Sequence, residues 1–129
     1  MEARVKKRRA TNEADLQEAI VNYCHLQYPH VTILHIPNGG KRGYNAQREV
    51  KRNGTLKGVS DLFIAKLKIH HYDVADTVKG GLWIEVKSAT GRLRVEQAYF
   101  LDKMKQKGYE TAVIYDLDSA IKIIDQYLK

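Results

Sequence analysis

The sequence contains a single cysteine, Cys24, and can therefore form neither an intramolecular disulfide framework nor a cysteine-rich zinc site. Long hydrophobic runs are also missing, since no apolar stretch approaches the roughly 20 residues that span a bilayer. The basic N-terminal segment MEARVKKRRATNEAD is not followed by the apolar stretch of a secretory signal. These absences argue against a secreted disulfide scaffold and an integral membrane protein, and we expect a cytoplasmic protein without membrane contacts.

The size and charge of the chain indicate one domain with a polyanionic partner. At 129 residues and 43% hydrophobic content, the chain suits a single core. We divide it into a basic N-terminal arm, residues 1–10, and one domain, residues 11–129. The net charge of +7 is uneven, because residues 1–60 carry +6 and residues 61–129 carry +1. Charge alone does not distinguish a nucleic acid from a membrane surface or from a contribution to solubility.

Hydrophobic periodicity predicts the element order α-β-β-β-α-β-α, which is typical of a mixed sheet flanked by helices. Asn12 is expected to cap the first helix, which runs to about Gln27. Residues 70–81 are expected to form a polar connection. The last helix is predicted to be capped by Asp118. The predicted strands cover residues 31–36, 59–67, 82–87 and 109–115, and the middle helix covers residues 95–107.

The strand over residues 82–87 carries an unusual pair of charges. Alternation places Ile84 and Val86 on one face of this strand and Glu85 and Lys87 together on the other. Burying a carboxylate and an ammonium in an otherwise apolar strand costs free energy, which suggests a functional purpose. The alternative is a half-exposed strand whose charges form a cross-strand ion pair, and this strand alone does not decide between the two.

The preceding strand supplies a second acid. Asp61 begins a β-rich run directly after a glycine turn at Gly58. Pairing of the two strands would bring Asp61 and Glu85 together at one end of the hairpin. Two carboxylates are hard oxygen ligands, which suit Mg²⁺ or Mn²⁺. Lys87 beside them can orient an attacking water or neutralise the charge that grows on a phosphate. These are the groups that hydrolysis of a phosphodiester requires.

At these residues the sequence resembles the PD-(D/E)XK nuclease superfamily and, more narrowly, the virus-type replication-repair nuclease domain, VRR-NUC. The E-x-K tripeptide alone is common, whereas the ordered series of motifs is fairly specific. One departure is Ser60, where the family usually has a proline that shapes the backbone and binds no metal. The similarity extends from Glu13 to the C-terminus, and its matching segments are Glu13…Gln17, Pro37-Asn38, residues 58–62, residues 84–87 and Gln97.

The resemblance implies a role for each residue of the central motif. Asp61 and Glu85 are expected to hold the metal ion, Mg²⁺ or Mn²⁺, with the backbone carbonyl of Val86 as a third ligand. Lys87 is expected to act on the attacking water or on the transition state. The fold that the resemblance implies is the restriction-endonuclease-like core, an α/β fold with a mixed central sheet flanked by helices.

Three further matching residues lie outside the central motif. Gln97 is expected to orient Lys87 or the scissile phosphate. Glu13 is expected to complete the site, directly or through water, and its spacing to Gln17 favours it over Glu18. The alternative for Glu13 is a first-turn residue that stabilises the helix dipole. Asn38 is a candidate to approach the site, although an asparagine before glycine in a turn requires no such role.

Residues 41–57 form a basic, poorly periodic insert, expected to be a loop with a short helix near residues 46–53. Long polar inserts in compact domains are often functional, and lysine and arginine side chains neutralise DNA phosphates. Tyr44 within the insert is equally compatible with base stacking and with a plain loop aromatic. The expected DNA-binding residues are Asn38, Lys41, Arg42, Arg48 and Arg52, together with Arg92 and Arg94 beyond the active-site strand.

The function that the resemblance implies is that of a Mg²⁺- or Mn²⁺-dependent DNA endonuclease acting in DNA repair or replication, in a bacterial or virus-infected cell. Because no separate specificity domain is visible, we expect recognition of branched DNA, such as Holliday junctions or flaps. Cutting two strands at a junction requires two sites, which a homodimer supplies. The last helix offers apolar surface for a dimer, unless it only packs on the sheet; its apolar residues are Ile121, Ile123, Ile124, Tyr127 and Leu128.

Two rival functions share this core. A non-catalytic DNA-binding module predicts a degraded acidic cluster, whereas Asp61, Glu85 and Lys87 are all present. A restriction-type or RNA nuclease has the same catalytic residues. Cleavage of a panel of linear, branched and RNA substrates distinguishes these possibilities.

Overall fold

The computed structural model describes residues 12–37, 57–71 and 75–129 of the chain. The predicted arm, residues 1–10, and the predicted insert helix near residues 46–53 lie outside these ranges. Within them the chain forms a mixed α/β fold, as the sequence predicts. The helices are α1 (Glu13–Gln27), α2 (Val95–Gln106) and α3 (Leu117–Leu128), and the strands are β1 (Ile33–His35), β2 (Leu62–Ile64), β3 (Lys68–His70), β4 (Thr77–Lys79), β5 (Leu82–Val86) and β6 (Glu110–Ile114).

The main sheet has the strand order β1-β2-β5-β6. β1, β2 and β5 are antiparallel neighbours, whereas β6 runs parallel to β5 after the crossover through α2. The sheet is therefore mixed, as predicted. Its two central strands, β2 and β5, carry the residues of the candidate site.

A second, two-stranded sheet corrects the sequence prediction. The predicted strand over residues 59–67 is shorter in the structure, because only Leu62–Ile64 pairs within the main sheet. The chain then forms β3, which pairs with β4 so that Ile69 lies opposite Val78. Residues 70–81 are thus not only a polar connection. β4 is mostly exposed, which explains why hydrophobic alternation did not reveal it.

One face of the main sheet packs against α1 and α3 and forms the hydrophobic core. The apolar stripe of α1 supplies Leu16, Ile20 and Cys24 to this core, as predicted, and all three are buried. Tyr23 of α1 and Tyr28, the residue that caps its C-terminus, both donate hydrogen bonds to Asp125 Oδ1 of α3, at 2.5 and 2.6 Å. The two helices are therefore tied together by polar contacts as well as by the core. The strand residues of this core are Leu62, Ile64, Leu82, Ile84, Val86 and Ile114.

The opposite face of the sheet is covered by α2 through an aromatic cluster. The rings of Phe63 and Trp83 lie 4.4 Å apart, centroid to centroid, and Phe100 of α2 meets Trp83 edge-on at 5.0 Å. Tyr109 completes the cluster at 5.9 Å from Phe63. Alternation along β5 puts Glu85 and Lys87 on this same face. The cluster thus fixes α2 beside the end of β5 where the charged residues lie.

Two helix caps show how local sequence sets the boundaries of the helices. Asn12 Oδ1 accepts a hydrogen bond from the Asp15 N–H at 2.8 Å, so the predicted cap of α1 forms. The prediction that Asp118 caps α3 is wrong, because Asp116 does so, accepting from the Ser119 N–H at 2.8 Å. Asp118 lies instead in the first turn. Both aspartates are able to cap a helix. Because β6 ends at Ile114, α3 begins early enough for Asp116 to be its cap.

The last helix packs on the sheet. Ile124 and Tyr127 are buried, and the Tyr127 hydroxyl donates to the Lys66 carbonyl at 2.6 Å. Ile123 and Leu128 pack against the same core. The apolar surface of this helix is therefore largely used within the chain. In the part of the chain that the structure describes, no helix has the length and apolar character needed to cross a membrane.

Candidate active site

Strand pairing brings Asp61 and Glu85 together. The antiparallel register sets Leu62 against Ile84, so the next position sets Asp61 against Glu85 on the same face of the sheet. Asp61 Oδ2 accepts a hydrogen bond from the backbone N–H of Val86 at 2.8 Å. This bond holds the Asp61 carboxylate against β5, and the convergence expected from the sequence is present.

A glycine turn fixes the segment that leads to Asp61. Gly58 has a φ of 81°, in the left-handed region that favours glycine. A Cβ atom at this position would lie 2.4 Å from the carbonyl oxygen of Glu96, in the first turn of α2. The absence of a side chain therefore lets the Asp61 segment pack directly on the helix that carries Gln97.

Glu85 is buried and lies at the centre of a polar chain. Its side chain is only 1% exposed. Its Oε1 atom accepts a hydrogen bond from Gln97 Nε2 at 2.7 Å and lies 3.7 Å from Lys87 Nζ. Lys87 is also buried, so the pair is an internal one and not the half-exposed ion pair considered from the sequence.

The orientation of the Gln97 amide follows from its second contact. Gln97 Oε1 accepts a hydrogen bond from the Arg94 backbone N–H at 2.9 Å, which requires an oxygen at that position. The amide nitrogen must then face Glu85. Gln97 thus links the start of α2 to Glu85, whereas the sequence suggested a link to Lys87 or to the phosphate.

The second carboxylate oxygen of Glu85 has no hydrogen-bond donor among the described residues. Oε2 is buried and unpaired there. Burial raises the pKa of Glu85 to about 8, and the negative charge of Asp61 adds to this increase, while Lys87 partly opposes it. An unpaired buried oxygen on an acid that resists ionisation is a position where a cation would be stabilising.

Glu13 contributes to the same electrostatic environment. It is the first residue of α1 and is exposed. Its negative charge is one of the causes that raise the pKa of Glu85.

The donor set fits a hard divalent cation held by few protein ligands. Asp61 and Glu85 supply carboxylate oxygens at opposing register positions, and Val86 lies between Glu85 and Lys87 on β5. Across residues 12–37, 57–71 and 75–129, no three side chains of the His, Cys, Asp or Glu type form a closed metal cluster. Mg²⁺ commonly binds through one or two carboxylates and keeps several waters, so two acids with a backbone carbonyl suffice.

The expected DNA-binding residues divide into two groups. Arg92 and Arg94 are exposed in the segment between β5 and α2, next to the site. The others lie outside the described residues; they are Asn38, Lys41, Arg42, Arg48 and Arg52.

Sequence reasoning missed two residues that shape the site. Ser60 was treated only as a departure from proline, yet it is fully buried and its Oγ has no hydrogen-bond partner among the described residues. Gly58 was read as a turn residue, whereas it also provides the contact with α2. The glycine three residues before an acid at a strand start was the available signal for this contact.

This chain is thus an α/β protein with a mixed sheet and a polar centre beside α2. The centre combines two acids and a lysine, which suits phosphate chemistry. The sequence matches the model of the VRR-NUC domain over residues 8–116. The chain therefore belongs to the VRR-NUC family, a nuclease family, as the sequence motifs predicted. No curated protein sequence matches it.

Structural comparison gives the same fold. A solved structure described as a VRR_NUC domain protein superposes with a TM-score of 0.73 and 22% sequence identity. The match covers 93% of this chain and 90% of that chain. At this identity the likeness establishes the fold, and the roles of individual residues depend on the geometry described above.

Proposed function

We propose that this protein is a metal-dependent DNA endonuclease with Asp61, Glu85 and Lys87 at its centre. The observation that carries the proposal is the opposition of Asp61 and Glu85 on neighbouring strands, with a buried Glu85 oxygen that has no donor among the described residues. Membership of a nuclease family supports it. Burying these charged groups together costs free energy, and a module that only binds DNA would gain nothing in return.

Asp61, Glu85 and the Val86 carbonyl would hold Mg²⁺ or Mn²⁺. When bound, such a cation lowers the pKa of a water ligand and stabilises negative charge on a phosphate. The protein's own contribution is to position the ligands. The Val86 N–H fixes the Asp61 carboxylate, and the Gln97 amide fixes that of Glu85.

Lys87 would act on the attacking water or on the charge that develops at phosphorus. Its ammonium is buried at 3.7 Å from Glu85 Oε1, in a place where a positive charge is weakly screened. We expect Lys87→Ala to abolish cleavage while metal binding persists, because the lysine is not a ligand. Complete loss of metal binding by this variant, measured by calorimetry, would contradict the role.

Gln97 and Glu13 would act through the central residues. Gln97 positions Glu85 through a 2.7 Å hydrogen bond. Glu13 would add negative charge near the cation, directly or through a water ligand. Gln97 is therefore a positioning residue, since its contact is with Glu85 and not with a substrate, whereas Glu13 would act on the cation or on its water ligand.

The proposed substrate is branched DNA, such as Holliday junctions or flaps, cut by a homodimer in DNA repair or replication in the cytoplasm of a bacterial or virus-infected cell. A single domain over residues 11–129 offers one site, and symmetric cleavage of a junction requires two. Residues 1–10 would serve as a basic arm on the DNA. Because the last helix packs within the chain, a dimer interface must also use other surface.

A substrate panel tests the proposed function. Linear duplex, flap, splayed-arm, four-way junction and RNA substrates would be incubated with the protein in Mg²⁺ or Mn²⁺. Metal-dependent cleavage with a preference for branched DNA is expected, whereas preferential RNA cleavage would favour the RNA nuclease. Light scattering, free and with an uncleavable junction, tests the dimer, and a mass near the monomer value of 14.8 kDa in both cases would rule it out.

A further inference from the structure

The outer face of α2 exposes large apolar side chains to solvent in the described structure. Val95 is 84% exposed and Tyr99 is 67% exposed. They lie four residues apart, so they are neighbours on one side of the helix. Phe100 and Leu101, by contrast, are buried against the sheet. We call Val95, Tyr99 and Lys103, which follows at the same spacing, the outer α2 face.

Basic side chains outnumber acidic ones on and beside this face, where Glu96 and Asp102 also lie three residues to either side of Tyr99. Lys103 Nζ lies 5.6 Å from the centroid of the Tyr99 ring. Arg92 and Arg94 are exposed immediately before the helix. Residues 92–107 together contain five basic and two acidic side chains, a net charge of +3. An exposed aromatic ring among cations suits a partner that combines phosphates with flat apolar rings, which is the chemistry of a nucleic acid.

The position of the face connects it to the candidate site. Gln97, which bonds to Glu85, lies between Val95 and Tyr99 in sequence but points to the opposite, buried side of the helix. A helix is about 10 Å across. A DNA strand advances about 3.4 Å per nucleotide. Passing around half the circumference of the helix, about 16 Å, a strand with one phosphate at Glu85 and Lys87 therefore reaches the outer face in roughly five nucleotides.

We propose that Tyr99 on the outer α2 face stacks on an unpaired base of the DNA substrate, while Lys103, Arg92 and Arg94 neutralise the flanking phosphates. The inference rests on the proposed nuclease function. In a continuous duplex each base is already stacked between its neighbours, so the ring is used only where a base is unpaired. The contact would let this domain distinguish branched or gapped DNA from intact duplex.

The test compares four proteins on two DNA ligands. The wild type, Tyr99→Ala, Tyr99→Phe and the control Leu26→Ala would be titrated into labelled duplex and into a duplex with a short single-stranded gap, in Ca²⁺ to prevent cleavage. Leu26 is 79% exposed on α1, which packs on the opposite face of the sheet, so it matches Tyr99 in exposure only. A fluorescent adenine analogue in the gap reports stacking through quenching.

We expect Tyr99→Ala to bind gapped DNA roughly tenfold more weakly, the order of one lost base–aromatic stack, and to lose the quenching. Its affinity for intact duplex should not change, and Tyr99→Phe and Leu26→Ala should behave as the wild type. Unchanged gap binding by Tyr99→Ala, or an equal loss on both ligands, would overturn the inference. So would a change from dimer to monomer in Tyr99→Ala, since the face would then bind a second copy of the chain.

The inference and the proposed function fail in different ways. A wild-type protein that neither binds nor cleaves DNA refutes both. A wild type that cleaves DNA in Mg²⁺, together with a Tyr99→Ala variant that retains gap selectivity, refutes the stacking contact alone and leaves Asp61, Glu85 and Lys87 in their proposed roles.

Discussion

Replacing Glu85 with glutamine should stabilise the protein while removing its activity. The neutral amide keeps the shape of the side chain and an oxygen to accept the hydrogen bond from Gln97. It removes a carboxyl group that ionises in a buried position beside Asp61 as the pH rises. Stability and function are therefore expected to change in opposite directions at this residue, as is common where an active site stores unfavourable electrostatics.

The size of the effect follows from the pKa of Glu85. Folding raises it from 4.5 to about 8, so the folded state holds a proton that unfolding releases between these two pH values. The free energy of unfolding of the wild type should therefore fall with rising pH in that window, by about 1.4 kcal/mol per pH unit. The accumulated loss is about 3 kcal/mol at pH 7 and approaches about 5 kcal/mol above pH 8. Since a domain is typically stable by about 5–15 kcal/mol, the effect is large.

Urea unfolding without divalent metal, at half-unit steps from pH 5 to pH 9, measures this difference. The stability advantage of Glu85→Gln over the wild type should be small at pH 5 and grow steadily towards pH 8. Glu96→Gln, at an exposed glutamate on α2, is the matched control and should show no such growth. A Glu85→Gln variant that is less stable than the wild type at pH 8, or a difference that does not vary with pH, would show that the buried Glu85 carboxyl does not destabilise the fold when it ionises.

Three further variants, the last a double substitution, test the glycine turn, the buried serine and the arginines beside α2. Gly58→Ala should destabilise the fold by about 2 kcal/mol or more in urea unfolding, because the new Cβ meets the Glu96 carbonyl and the φ is positive; a neutral result would mean that the turn and α2 adjust freely. Ser60→Ala should raise stability by about 1 kcal/mol in the same assay, since it removes a buried hydroxyl without a partner among the described residues; a loss would reveal a partner for that hydroxyl. Arg92→Ala combined with Arg94→Ala should reduce the log–log salt slope of DNA binding by about 2, and an unchanged slope would show that neither contacts phosphate.

The placement of the acids was predictable because it depends on local rules. A period of two residues puts Glu85 and Lys87 on one face of β5 whatever surrounds the strand. The glycine turn before Asp61 marks the start of the paired strand, and the register then sets Asp61 opposite Glu85. Both rules act over a few residues, and both are visible in the sequence.

Other features depend on how the elements dock and were not predictable. The burial of Glu85 and its hydrogen bond to Gln97 depend on where α2 lies. The position of α2 is determined by the aromatic cluster, which shares with Glu85 the face of the sheet opposite the hydrophobic core. The β3–β4 hairpin was missed because β4 is too short and too exposed to alternate visibly. The cap of α3 was misplaced because Asp116 and Asp118 are chemically equivalent, and only the end of β6 selects between them.

Cleavage by matched variants decides whether Asp61 and Glu85 form a metal-dependent phosphodiesterase centre. Wild type, Asp61→Asn and Glu85→Gln would be incubated with a four-way junction in Mg²⁺ and in Mn²⁺, after unfolding curves show that each is folded. We expect metal-dependent cleavage by the wild type and none by either variant. Near-normal cleavage by a folded Asp61→Asn or Glu85→Gln protein, in either metal, would contradict it.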